Sequence, residues 1–213
     1  MKLLAIDTST DYLSLAVIKD GRVITKFHRR AAMRHSILLV PTIDKVLKKA
    51  KLKVRDMDCF AISIGPGSFT GLRIGVTVVK GLAYALKKPV IAVPTLDAIA
   101  MNAKKSKGII CVVLDARTKK VYACMYRPDG KDIKKISPYL LLPLDDLLKK
   151  TGKYDKVLFL GDTEENNFKK DWHPKAAIVG MLASEYFKKK KFTDAADLEP
   201  MYIYSRECDI TGL

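Results

Sequence analysis

Short apolar runs separated by polar turns open the chain, and the same arrangement returns about a hundred residues later. Leu3–Ile6 reads as a strand ending in Asp7-Thr8-Ser9-Thr10, Leu13–Ile18 as a second strand and Val23–Phe27 as a third. Asp20-Gly21, between the last two, suits a tight hairpin turn. From Ile109 a strand closes on Asp115-Ala116-Arg117, followed by a strand at Val121–Tyr126, a turn at Asp129-Gly130 and a strand at Ile133–Ile136. Asp7 and Gly21 lie fourteen positions apart and Asp115 and Gly130 fifteen, so the two units nearly superpose. Helical sequence and a further apolar strand follow in each half, Cys59–Ile64 in one and Val157–Leu160 in the other.

Two meander-plus-helix units in tandem predict a two-lobed α/β protein of the actin-like, sugar-kinase-like (ASKHA) class. Residues 1–103 are expected to form the N-terminal lobe and 104–213 the C-terminal lobe, with a cleft between them. Such folds grip ATP phosphates with facing hairpin loops, where close approach calls for glycine and free backbone N–H groups. The first loop, Asp7 to Asp11, has no glycine, although the hydroxyls of Thr8, Ser9 and Thr10 could bond an oxyanion. The second, Asp115 to Lys120, also lacks glycine and carries the bulky Arg117. Asp7, Thr8, Ser9, Asp115 and Arg117 therefore read as degenerate nucleotide loops, with Asp7 and Asp115 either remnants of metal-phosphate positions or turn caps. Weak or absent ATP turnover is expected.

The segment Ile64-Gly65-Pro66-Gly67-Ser68-Phe69-Thr70-Gly71-Leu72-Arg73-Ile74-Gly75 joins an apolar strand to a long apolar helix. Ser68 or Thr70 can cap the helix start. A glycine-rich loop there could cradle phosphate, but Gly71-Leu72-Arg73 replaces the Gly-Lys-Ser/Thr of a P-loop, and the dinucleotide spacing fails. A packing role for the glycines fits better.

The helix from Thr70 to Leu86 is apolar over more than half its circumference, and only Arg73, Thr77, Lys80, Tyr84 and Lys87 form a polar stripe. The helix before it, Ser36 to Ala50, is similar: Met33, Ile37, Val40, Ile43, Leu47 and Ala50 share a stripe, and Leu38, Leu39 and Val46 spill beyond it. A helix lying on a sheet needs one apolar face. The surplus points to a helix-on-helix interface with another subunit, with Gly71 and Gly75 permitting close approach. The alternative is that the second lobe or a long loop covers both helices.

The chain has 213 residues and a formal charge of +16, which suggests nucleic acid or an acidic partner, although many lysine pairs fall at predicted helix ends. The dense run is Lys188 to Lys191, and no aromatic residues are set among cations in an RNA-stacking pattern. No segment has the roughly 18–20 unbroken apolar residues of a membrane helix. Cys59, Cys111, Cys124 and Cys208 form no C-x-x-C and read as buried reduced thiols of a cytoplasmic protein. His28, His35 and His173 form no metal-binding pair, since Leu39 stands where a second helical histidine would be needed. No nucleophile elbow is present, and Asp145-Asp146 and Glu164-Glu165 read as helix-start or solvated residues. No catalytic residues and no metal site are expected.

Leu4-Ala5-Ile6-Asp7-Thr8-Ser9-Thr10, Arg34-His35-Ser36 with Leu39 and Pro41, and the Gly65–Gly75 block resemble the TsaB (YeaZ) family of bacterial proteins. So do Val93-Pro94-Thr95-Leu96-Asp97, Asp115-Ala116-Arg117 with Val121-Tyr122, and the closing Glu199-Pro200-Met201-Tyr202-Ile203-Tyr204. The resemblance implies a non-catalytic subunit of the machinery that makes threonylcarbamoyladenosine (t6A) next to the anticodon of tRNA. Family members pair with a catalytic paralogue, TsaD, and an ATPase, TsaE, joins them. TsaD uses paired helix histidines for its metal and glycines for its nucleotide; at the matching places this chain has His35 with Leu39 and the glycine-free Asp115 loop. Carried over, the partner interface is expected at Ile37, Val40, Leu72, Gly75, Val76 and Val79. Gly75→Leu or Val76→Asp should then abolish association and leave the lobes folded. The resemblance further implies tRNA within the complex, no resident cofactor beyond weak ATP or ADP at an inter-subunit site, no membrane, and a homodimer when the chain is alone. The competing readings are an ASKHA-type ATPase or small-molecule kinase, a stand-alone tRNA-binding module and, with no ligand pair to support it, a metallopeptidase.

Overall fold

The computed structural model describes residues 1–117, 119–130, 132–162, 168–169 and 172–203. Apolar alternation in the first runs produces an antiparallel meander of β1 (Lys2–Asp7), β2 (Tyr12–Lys19) and β3 (Arg22–Arg30). Asp20 (φ 50°) and Gly21 (φ 75°) make the hairpin turn between β2 and β3, both in the left-handed region such a turn requires. Helix α1 (His35–Lys49) leads to β4 (Cys59–Gly65), which pairs parallel with β1; α2 (Phe69–Leu86) leads to β5 (Val90–Pro94), parallel with β4. The strand order is β3-β2-β1-β4-β5.

β1 is central and buried on both faces, which its continuous apolar run requires. Leu4 and Ile6 point to one side and pack with α1 and α2, while Leu3 and Ala5 point to the other. That second side is covered by a helix from late in the sequence, Ala176–Lys188.

The other sheet repeats the plan after a short helix α3 (Thr95–Ala100). It contains β6 (Ile109–Asp115), β7 (Lys120–Asp129), β8 (Asp132–Lys135), β9 (Leu140–Pro143), β10 (Val157–Gly161) and β11 (Phe168–Lys169), with α4 (Leu144–Thr151) after β9. Its order, β11-β10-β6-β7-β8 with β9 also on β7, matches β5-β4-β1-β2-β3, with the third strand split in two. The duplication expected from the sequence is present.

The division of the chain differs from the expected 1–103 and 104–213. One compact unit is Met1–Ala98 with His173–Met201, and the other is built on Ile99–Trp172. The late helix, α5 (Ala176–Lys188), belongs to the first unit because Leu3, Ala5, Ala16 and Ile18 would otherwise face water. Ala176, Val179 and Ala183 cover them, and the Ala176 N–H donates to Ser14 Oγ at 2.9 Å. A chain ending at residue 172 should therefore fail to reach a cooperative native state, as read by the loss of a single sharp urea transition.

Among the described residues only α2 is long and apolar enough by composition to cross a membrane, with a mean hydropathy of 1.3 over 18 residues. Leu72, Val76, Val79 and Ala83 instead lie against the sheet.

Candidate partner interface

The glycine-rich turn is a packing device. Ser68 is the N-cap of α2, its Oγ accepting from the Gly71 N–H at 3.3 Å. The Ser68 N–H donates to the Ser9 carbonyl at 2.7 Å, which brings the β1–β2 loop onto the helix start. A Cβ added at Gly67, Gly71 or Gly75 would fall well inside contact distance of Ser9 O, Thr8 O or Thr8 Oγ1 respectively. The glycines therefore admit the chain's own loop.

That loop faces inward. Asp7, Thr8 and Ser9 are buried; Ser9 donates to the Asp7 carboxylate through its N–H at 3.2 Å and its hydroxyl at 3.1 Å. Thr10 Oγ1 accepts from the Tyr12 N–H at 3.2 Å. Burial pushes the Asp7 carboxyl up to about 6 from its ordinary 3.8, against the opposing effects of the neighbouring Ser63 hydroxyl and then of the Ser9 hydrogen bonds. The folded chain thus holds that proton more tightly than the unfolded chain. The resulting stability is fully present below about pH 4 and lost as pH rises through about 6. Asp7→Asn should flatten this fall, worth at most about 3 kcal/mol, in urea titrations between pH 4 and 8.

Asp115 is exposed and holds its turn: its N–H donates to Asp162 Oδ1 at 2.7 Å, and its Oδ1 accepts from the Arg117 N–H at 2.8 Å. Arg117 has φ 63°, a left-handed conformation within a tight turn. Thr118 of this loop lies outside the described residues, as do Glu164, Glu165, Tyr204 and Cys208. Asp145 and Asp146 stand in the first turn of α4, the helix-start position expected for them.

The six residues expected at a partner interface divide into two sets. Ile37 and Val40 are exposed, at 65% and 58%. Leu72, Gly75, Val76 and Val79 are buried against the first unit's own sheet and the β1–β2 loop, and cannot present side chains to a partner. This corrects the expectation: Gly75→Leu and Val76→Asp would disrupt the fold itself. The four positions came from the family resemblance, which assigns the helix but not its face, and the sheet and the β1–β2 loop take the face on which they lie.

What remains outside is the flank of α2 turned toward α1. Val78 and Leu82, one helical turn apart, join Val40, Ile43, Leu47, Leu52 and Val54 along an apolar groove of about 660 Å³. Lys48, Lys51, Lys53 and Asp44 lie along it. Met33, Ile37, Phe69 and Tyr84 add exposed apolar surface on the two helices or beside them, and the Arg73 guanidinium lies 3.7 Å from the Phe69 ring centre. Neither Val78 nor Leu82 was among the expected interface residues, although the wide apolar arc of the helix was the signal that could have found them.

The histidines, far apart in sequence, meet around one tyrosine. Tyr12 stacks on His28 at 4.8 Å and contacts His173 at 4.0 Å between ring centres, and His35 Nε2 lies 3.2 Å from the Tyr12 carbonyl. Among the described residues no three His, Cys, Asp or Glu side chains gather as metal ligands. Cys59 and Cys111 are pushed up to about 12 by burial, and Cys124 is buried as well.

Comparison with known proteins places the sequence and the fold in a family. The family model described as TsaD, tRNA N6-adenosine threonylcarbamoyltransferase, matches residues 27–198. The chain is 34% identical over 162 residues to the tRNA threonylcarbamoyladenosine biosynthesis protein TsaB of Bacillus subtilis, covering 76% of this chain and 71% of that one. It is 34% identical over 202 residues to TsaB of Buchnera aphidicola (subspecies Schizaphis graminum), covering 87% and 95%. The structure of YeaZ from Pseudomonas aeruginosa superposes with a TM-score of 0.81 at 26% identity, over 95% of this chain and 99% of that one. With its duplicated ASKHA sheets and the glycine-rich turn that seats its own first loop, this chain belongs to the TsaB (YeaZ) family.

Proposed function

We propose that this protein is a non-catalytic subunit of the tRNA t6A-synthesising machinery, docking a TsaD-like catalytic subunit through the outer faces of α1 and α2. The observation that carries this reading is the apolar groove between these helices, which no segment of the first unit covers. Exposed Ile37 and Val40 beside half-buried Val78 and Leu82 form the kind of apolar centre with a charged rim that protein interfaces use. The t6A assignment is supported by the names of the TsaB relatives and by the TsaD family model.

The non-catalytic reading is supported by what the first loop does with its polar groups. Ser9 bonds Asp7, Thr10 caps Tyr12, and Thr8 is buried beside Gly75. The Ser9 hydroxyl is spent on Asp7, and Thr8 Oγ1, although without a hydrogen-bond partner among the described residues, is closed off from solvent. The subunit would act by favouring the partner's competent conformation, a population shift that requires it to bind that state more tightly. ATP or ADP binding, weak and at a site shared with the partner, belongs to the same reading, as do a TsaE-like ATPase in the complex and a cytoplasmic location. Without its partner, the same face would pair with a second copy.

The test is reconstitution of t6A formation on tRNA from a TsaD-like protein, a TsaE-like ATPase and an activated threonylcarbamoyl donor, with and without this chain. Modification should depend on the chain, and the chain alone should not hydrolyse ATP. Robust hydrolysis by the isolated chain would favour the ATPase or kinase reading.

A further inference from the structure

β3 is the edge strand of its sheet, and a groove of about 560 Å³ follows it. Thr25 and Arg29 line the groove from one row of the strand and Lys26 from the other, with Lys45 and Lys49 from α1 and Lys175 from just before α5. No carboxylate is among the lining residues. Neighbouring cations are neutralised: Arg30 pairs with Asp11 at 2.7 Å, and Lys48 with Asp44 at 2.7 Å. Lys26, Arg29, Lys45 and Lys49 take part in none of the ion pairs found among the described residues. An independent feature lies in the same groove. Thr25 is only 5% exposed, and its hydroxyl has no hydrogen-bond partner among the described residues. A bound acceptor would satisfy that hydroxyl.

We propose that this groove binds the phosphate backbone of RNA, with the cations neutralising successive phosphates and the Thr25 hydroxyl donating to a phosphate oxygen. Thr25 to Arg29 extends over about 13 Å of strand, and Lys45 and Lys49 stand about 6 Å apart along α1. A single phosphate is too small to answer charges spread over that length, whereas a nucleic-acid strand brings a phosphate about every 3.4 Å of helix axis. The choice of tRNA as the source of the backbone rests on the proposed role in t6A synthesis. The groove follows β3, with α1 on one side of the sheet and α5 on the other, and its lining shares no residue with the apolar groove between α1 and α2.

The test is the salt dependence of tRNA binding by the full chain, wild type against the triple variant Arg29→Gln/Lys45→Gln/Lys49→Gln. The plot of log affinity against log salt should become shallower by about 2 to 3, and low-salt affinity should drop on the order of tenfold or more. Thr25→Val, nearly isosteric, should weaken binding a further few-fold. A control of equal charge change, Lys189→Gln/Lys190→Gln/Lys191→Gln, should leave the slope within about 1 of wild type. Four results would each overturn the proposal: no tRNA binding by wild type at low salt, an unchanged slope in the triple variant, equal losses in variant and control, or displacement of tRNA by inorganic phosphate at matched phosphate concentration. Circular dichroism and co-purification with the TsaD-like protein are measured on the same variants. Wild type that binds tRNA through the groove but never pairs with that protein would sink the proposed function and leave the groove standing.

Discussion

Ile37→Asp combined with Val40→Asp should weaken association with a TsaD-like partner by at least about a hundredfold, while the chain's own urea midpoint barely moves. Both side chains are more than half exposed on α1, so the isolated chain loses little packing when they are replaced. Surface changes of this kind usually stay within about 0.5 kcal/mol, and a carboxylate near the N-terminus of α1 meets a favourable helix dipole. In the proposed complex the same positions would lie at the centre of an apolar contact, where an unpaired carboxylate would be desolvated with nothing to compensate. Val76→Asp or Val79→Asp should fail in the opposite way, by unfolding the chain, since both are buried against the sheet. Pairing measured by analytical ultracentrifugation, with denaturation of each variant alone, separates the two outcomes.

Gly71→Val should destabilise the fold by about 3 kcal/mol or more. Its side chain would fall on the Thr8 carbonyl oxygen, a backbone atom that cannot move aside without carrying the β1–β2 loop with it. The hydrogen bond from the Ser68 N–H to the Ser9 carbonyl would be lost in the same displacement. Gly81, on the same helix, provides the contrast. It is exposed, and nothing lies within 4 Å of where its Cβ would stand. Gly81→Ala should therefore stabilise the chain by about 0.5–1 kcal/mol through helix propensity. Opposite shifts of the urea midpoint for two glycines of one helix are the expected signature.

The strands and long helices were legible because alternation and helical periodicity are local. The duplication of the meander-plus-helix unit was legible because the hairpin turns at Asp20-Gly21 and Asp129-Gly130 fall at matching offsets; the strand order was not read from the sequence. The return of α5 to the first unit was not. Nothing in Ala176–Lys188 indicates which sheet it will cover, and that is decided by the apolar second face of β1 and β2 far away in the sequence. The same limit explains why four of the six expected interface residues, all on α2, are buried. Helical periodicity shows that α2 has two apolar flanks but not which one the sheet takes. Leu72, Val76 and Val79 were consumed by the core, leaving Val78 and Leu82 at the α1–α2 groove. The meeting of His28, His173 and His35 around Tyr12 was likewise invisible, since strand pairing and the late return of the chain create it.

The central claim is that the outer face of α1 and α2 docks the catalytic sister chain. Photo-crosslinking tests it most directly, with a reactive residue placed at position 40 on that face or at position 181 on α5, across the sheet. The account predicts covalent capture of the TsaD-like protein from position 40 and none from position 181. Capture from 181 with none from 40 would contradict it.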